Sequence, residues 1–190
     1  MHYNSIIMDL KVQPCGRRVT MQEIKDCGCS CGCCDGEDEA AKSIFVEYLY
    51  LDLDDCGRCS DTFIALGEAI KEARLVLEPS GITVSLTSIK VESEDQATGL
   101  RFKASPTIRM NGRDICETTD ETCCEDCSSL CGKDVTCRVW SFRGRTYDSA
   151  PKALVVDALL SAAYSPQPAI AGESEFVLPE NLRRFFAGRR

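Results

Sequence analysis

Ile44-Phe45-Val46-Glu47-Tyr48-Leu49-Tyr50-Leu51-Asp52-Leu53 runs directly into Asp54-Asp55-Cys56-Gly57-Arg58-Cys59-Ser60-Asp61. The first part is nearly continuous in β-branched, aromatic and aliphatic residues, which reads as a strand buried on both faces. The acidic residues and the Cys56-Gly57-Arg58-Cys59 turn end it. Beyond the turn Phe63, Leu66, Ile70, Ala73 and Leu77 recur at helical spacing, so an amphipathic helix follows. Pro79, Ser80 and Gly81 stop that helix, and Ile82 to Val91 alternates as a second strand. The order is a βαβ unit with a right-handed crossover.

Downstream, a short helix is expected around Glu94 to Leu100. Ser105-Pro106-Thr107-Ile108-Arg109-Met110 leads into Asn111-Gly112, the strongest two-residue hairpin signal, so Thr107 to Met110 should pair with a strand beginning near Asp114. Arg138 to Phe142 and Thr146 to Tyr147 flank Arg143-Gly144-Arg145 as a second hairpin. Ser149 is placed to cap a closing helix that carries Pro151 in its first turn and Leu154, Ala158, Leu159 and Ala162 on one face. The domain reading is a Cys-rich N-terminal arm over 1–43, a folded domain over 44–164 with a Cys-rich insertion at 116–137, and a linker with a short apolar-basic segment over 165–190. Phe185 and Phe186 in that segment are expected to pack on the domain, a docking peptide being the alternative.

The chain of 190 residues is long enough for one core with appendages. Its net charge of −8 argues against a nucleic-acid partner, whose phosphates require a clustered basic surface. Met1 to Val12 lacks the basic segment, apolar run and cleavage site of a secretory signal, and no stretch has the length of a membrane span, so a cytoplasmic protein without a membrane partner is expected. In that reducing setting fourteen cysteines point to metal binding or redox chemistry rather than to a disulfide framework. The single histidine, His2, excludes a Cys/His protease pair, a Cys/His zinc finger and a histidine-carboxylate metal centre within one chain.

The cysteines fall into three groups. Cys27, Cys29, Cys31, Cys33 and Cys34, with Cys15 upstream, lie in a Gly/Ser/Asp-rich stretch, and read either as a metallothionein-like tract for soft ions or as a disordered arm. Cys56 and Cys59 stand at a helix N-terminus, whose unpaired N–H groups and positive dipole end favour the thiolate. Arg58 adds to that field, whereas Asp54 and Asp55 oppose it. Such a pair serves as a redox dithiol, with Cys59 one helical turn from Cys56, or as half of a metal site. The third group is Cys116, Cys123, Cys124, Cys127, Cys131 and Cys137. Cys124, Cys127, Cys131 and Cys137, with Cys123 adjacent, provide four thiolates for zinc or an iron–sulfur cluster, disulfides being the competing reading.

Strand, Cys56-Gly57-Arg58-Cys59, helix, strand, Ser105-Pro106-Thr107 opening a hairpin, then a closing helix, resembles the thioredoxin fold: a mixed α/β sheet flanked by helices. The resemblance implies a cis Pro106 facing the pair, a Ser105 backbone that pairs with an extended substrate, and Cys56 attacking with Cys59 resolving. Asp55 and Gly57-Arg58 depart from the Trp and the Gly-Pro of common thioredoxins. More narrowly, Ser105 to Arg113, Cys123-Cys124-Glu125-Asp126-Cys127 and Cys137-Arg138-Val139-Trp140 resemble an uncharacterised prokaryotic thioredoxin-like family, a domain of unknown function with some members labelled alkylmercury lyase, over Ser43 to Tyr164. Three functions are therefore expected alternatives. One is a thiol-disulfide oxidoreductase acting on a protein thiol or disulfide partner. The second is a protein that binds or detoxifies soft ions such as Zn, Hg, Cu or As, and the third is carbon–mercury cleavage with Asp54 or Asp55 as the acid.

Overall fold

The computed structural model describes residues 42–116, 119–131, 135–165 and 175–188, with the backbone alone at 130 and 131. The arm cysteines Cys27, Cys29, Cys31, Cys33 and Cys34 lie outside the described residues.

Strand β1 (Lys42–Tyr50) passes through helix α1 (Gly57–Leu77) to strand β2 (Ile82–Lys90), which lies parallel to it in the register Ile44 to Val84 and Tyr48 to Ser88. Helix α1 gives way to a single 3-10 turn, Glu78–Ser80, and Gly81 at φ 75° reverses the chain. Only a residue without Cβ takes that left-handed backbone at no steric cost. Helix α2 (Glu94–Gly99) follows, with the Ser93 hydroxyl accepting from Gln96 N as its N-cap. Strand β3 (Thr107–Met110) then returns antiparallel to β1, pairing Tyr48 with Ile108, and turns through Asn111 (φ 51°) and Gly112 (φ 78°) into β4 (Arg113–Asp114). Two successive positive φ angles are what a tight two-residue hairpin needs. The resulting mixed four-stranded sheet has the order β2-β1-β3-β4.

Helices α1 and α4 (Lys152–Tyr164) pack on the same face of this sheet. Ile44, Val46 and Tyr48 from β1 meet Leu66, Ile70, Ala73 and Leu77 from α1 and Leu154, Val155 and Leu159 from α4. The opposite face is bare along most of β1: Phe45 is 61% exposed and Ser43, Ser85 and Thr87 are exposed as well. The apolar run therefore reads as more buried than it is. Periodicity registers hydrophobicity but not the number of helical layers available to cover it. The strand also stops at Tyr50, because Leu51 to Asp55 form a turn closed by Asp52, whose Oδ1 accepts from Asp54 N and Asp55 N at 3.0 Å each.

Two further readings are corrected. The expected hairpin from Arg138 begins only at β7 (Trp140–Phe142), which pairs with β8 (Arg145–Tyr147), while Arg138 belongs to β6 (Thr136–Arg138), paired with β5 (Glu121–Cys123). Val139 breaks the run by donating to Asp120 O. Ser149 does not cap α4; Pro151 is the extended N-cap residue, its carbonyl accepting from Leu154 N, and Ala150 N is tied to Thr62 Oγ1 of α1.

A second core lies past the end of β1. It gathers Leu49, Leu51, Val91, Ala97 and Phe102 with helix α3 (Glu125–Cys131) and helix α5 (Glu180–Gly188), which contributes Leu182, Phe185 and Phe186. The C-terminal segment thus packs on the domain. Asn181 adds a polar anchor: its Oδ1 accepts from Thr136 N and its Nδ2 donates to Thr136 O, so α5 grips the backbone of β6. Among the described residues no helix is long and apolar enough to cross a membrane.

Phe185 is fully buried in the second core. Phe185→Ala is expected to destabilise the domain by about 3–5 kcal/mol, the usual cost of a large core deletion, read as a lowered denaturant midpoint. A midpoint unchanged from wild type would show that α5 contributes nothing to the fold.

Candidate metal centre

Cys56 is the N-cap of α1: its backbone is extended (φ −113°, ψ 104°), its carbonyl accepts from Ser60 N at 3.0 Å, and its side chain stands at the helix's positive end. Helix α1 is 21 residues long because Cys59, Thr62, Leu66, Ala69, Ile70, Ala73 and Leu77 provide one continuous buried stripe. The thiol at its start is thus carried on a rigid, well-anchored rod.

The insertion folds over that start. Cys124 N donates to Val135 O and Cys124 O accepts from Ser128 N, so Cys124 opens α3 as Cys56 opens α1, and Cys127 follows it as Cys59 follows Cys56. Cys137 projects from β6. These elements bring four buried thiols, Cys56, Cys124, Cys127 and Cys137, together with every sulfur within 4.8 Å of every other. Cys127 Sγ lies 3.3 Å from Cys137 Sγ and 3.6 Å from Cys56 Sγ.

Polar contacts lock the two halves. Gly57 N, one of the helix's unpaired donors, gives its hydrogen bond to Asp126 Oδ2 at 2.9 Å. Arg58 reaches across from α1, donating to Thr122 Oγ1 (2.8 Å), Cys123 O (3.2 Å) and Cys137 O (3.4 Å), and pairs with Asp148 at 2.9 Å. Arg138, fully buried, donates from both terminal nitrogens to Asp114 at 2.7 Å and stacks over Trp140. Its backbone N donates to Ser105 O at 2.8 Å.

The remaining sequence candidates are placed as follows. Cys59 is fully buried beside the cluster but outside the foursome, its Sγ 3.5 Å from Ser105 Oγ, and Tyr48 OH donates to its carbonyl at 2.6 Å. The Ser105–Pro106 peptide is cis and Pro106 is buried. Cys123 is exposed, and Cys116 is buried in the main core, among the residues under the sheet. The backbone of Cys131 ends α3, while its side chain lies outside what is described. Asp54 and Asp55 are exposed. The Ser105 backbone, expected to pair with an extended substrate, has its carbonyl engaged within the chain, accepting from Arg138 N.

The sequence sets Cys56 with Cys59, as a redox dithiol or as half of a metal site, and places the insertion's four ligands within the insertion. The repeated Cys-x-x-Cys, each at the start of a helix, was the available signal that Cys56 and Cys124 are equivalent. Nothing in the sequence marked Arg58, Asp126 or Asn181 as the residues that fasten the halves.

So many thiols in one place share protons unevenly. Cys56 is driven far below the ordinary thiol range because Cys124, then Cys127, Cys137 and Cys59, donate S–H bonds to it, against the opposing effect of burial. Cys59 is pushed up by its bond to that thiolate and then by burial. Cys127 and Cys137 rise chiefly through donation to Cys124, which is itself lowered to about 7 by the bonds it accepts from Cys127 and Cys137. The shared bonds favour the thiolate at Cys56 and at Cys124, the form that a thiophilic cation binds. A tetrahedral zinc–thiolate centre, with bonds of about 2.3 Å, separates its sulfurs by about 3.8 Å. The observed spread fits one ion. A four-iron cluster, in which each thiolate binds a different iron, holds its sulfurs further apart.

A mixed α/β domain carrying a buried, all-cysteine cluster is the class that this fold and site define. Residues 44–159 match the family described as a domain of unknown function, DUF2703, and the chain belongs to that family. The match includes all four clustered cysteines. No curated protein and no solved structure matches the chain.

In the reduced, metal-free protein, the ultraviolet thiolate absorbance should rise in a step near pH about 7 that Cys124→Ser removes, because Cys124 is deprotonated above that value and protonated below it. A titration whose only steps lie at about 8.5, the ordinary thiol value, would contradict the shared-proton description.

Proposed function

We propose that this chain is a thiol-based soft-metal-binding protein, in which Cys56, Cys124, Cys127 and Cys137 hold one thiophilic ion on a thioredoxin-like scaffold. The observation that carries the reading is the convergence of four buried sulfurs, with pairwise separations no greater than 4.8 Å, from positions as far apart in the chain as Cys56 and Cys137. A shared ion would give each of the four thiolates a strong bond and fix the insertion on α1. An all-sulfur donor set without histidine or carboxylate selects soft or borderline ions, the class of Zn(II), Cu(I) and Hg(II). The strand order, the parallel βαβ unit, the antiparallel hairpin and the closing helix on one face support the thioredoxin-like description of the scaffold.

The thiol-disulfide oxidoreductase is the second reading, favoured by the closeness of Cys59 to Cys56 at the start of α1. It is weakened by the insertion, which takes the Ser105 carbonyl and covers Cys56, leaving that thiol 1% exposed. A protein disulfide has no open path to it. Carbon–mercury cleavage with Asp54 or Asp55 as acid gains no support from those exposed side chains.

Zinc content of the full reduced chain, measured after anaerobic loading and desalting, discriminates the readings. Cys56→Ser, Cys124→Ser and Cys137→Ser should each bind roughly one zinc fewer per chain than wild type, because each removes a ligand of the same tetrahedral site. Equal zinc in wild type and in all three variants would overturn the ion site. A loss with Cys124→Ser and Cys137→Ser but not with Cys56→Ser would return Cys56 to the redox reading.

A further inference from the structure

Five thiols are buried at this site and one tetrahedral ion uses four. Cys59, the fifth, is completely buried on the third residue of α1, one helical turn from Cys56 at the N-cap, and packs in the same core cluster. Its other neighbours, the Ser105 hydroxyl and the Asp52 backbone N–H, are hydrogen-bonding groups suited to a sulfur that gains or loses charge. Cys56 is therefore both an ion ligand and one half of a dithiol. Cys127 and Cys137 also lie close, but as two ligands of the same ion, so their proximity already has its explanation. The residues on either side of Cys56, Asp55 and Gly57, are exposed, so this sulfur lies just beneath the surface, within reach of a small molecule admitted by local motion.

Resting on the ion-binding reading above, we infer that Cys59 makes the site redox-labile: oxidation of Cys56 and Cys59 to a disulfide by a small two-electron oxidant, hydrogen peroxide, removes a ligand and releases the ion. The Cys56 thiolate attacks one peroxide oxygen; the O–O bond breaks, a proton from solvent completes the departing water, and Cys56 becomes a sulfenic acid. Cys59 sulfur then attacks Cys56 sulfur, the S–O bond breaks, and the Cys59 proton leaves with the hydroxyl as a second water. Two electrons pass from the sulfur pair to peroxide. Cys124, Cys127 and Cys137 remain as three ligands, and the ion is lost to a competing chelator. A dithiol reductant reverses the disulfide and restores the fourth ligand.

The experiment uses the full-length, reduced, zinc-loaded chain, with Cys124→Ser alongside so that zinc held elsewhere is subtracted. Stoichiometric peroxide is added in the presence of a chromogenic zinc chelator, and disulfides are mapped by peptide mass. The expected result is release of the zinc that distinguishes wild type from Cys124→Ser, with a Cys56–Cys59 disulfide and recovery of zinc binding after dithiothreitol. Cys59→Ser should start with the wild-type zinc content and release it at least about tenfold more slowly, with no disulfide formed at Cys56. Cys59→Ala, checked by circular dichroism, replaces it if the serine variant does not fold. Wild-type release kinetics in the folded variant, or a disulfide between Cys127 and Cys137 in its place, would overturn the inference while leaving the ion site intact. Loss of zinc from both folded Cys59 variants before oxidant would overturn it too, by making Cys59 a part of the binding site. Equal starting zinc in wild type and Cys124→Ser would instead remove the ion site itself, and this inference with it.

Discussion

Everything distinctive about this domain depends on the seam between the N-terminus of α1 and the cysteine-bearing insertion. A helix N-terminus carries unpaired donors and a partial positive charge, and here both are used. Gly57 N takes the Asp126 carboxylate, and Cys56 takes the company of three thiols from the start of α3, its first turn and β6. Arg58 crosses the seam in the other direction, binding backbone carbonyls on both strands of the β5–β6 ribbon. The ribbon is short, and its strands have few bonds of their own. Its position is set by these contacts and by the Asn181 grip on Thr136.

The seam also determines what can reach Cys56. In a scaffold of this topology the end of β1, the start of α1 and the loop before β3 meet at one edge, and an uncovered edge would be a groove for an extended chain. The insertion fills it: Arg138 donates to Ser105 O as a neighbouring strand would, with Cys137 one residue before it in the cluster. The buried Arg138 that makes this contact has its charge met by Asp114 and its plane laid on Trp140, which allows a guanidinium inside the core.

Helix α5 closes the arrangement from outside. Its apolar residues Leu182, Phe185 and Phe186 share a core with the cysteines, and its polar Asn181 reads the β6 backbone. The family match ends at residue 159, so this cover lies beyond the matched region while the cluster lies within it.

By itself the sequence determined the local elements and their order. The strand–turn–helix around Cys56, the Gly81 stop, the Ser93-led short helix and the Asn111-Gly112 hairpin are encoded in residues that touch one another or nearly so, and their signals are composition and period. It also determined the chemistry available, since fourteen cysteines and one histidine leave sulfur to act. Only the tertiary structure decided which sulfurs meet. The spacing within 116–137 suggested that the insertion closes a site on itself, yet its Cys124, Cys127 and Cys137 are completed by Cys56, because the two helix starts are apposed by packing that no local pattern records. The bare face of β1 and the burial of Arg138 are decided in the same way. Which side of a strand is covered, and which charge is enclosed, depends on where distant segments come to rest, and that is fixed by the sum of many weak contacts rather than by any short run of residues.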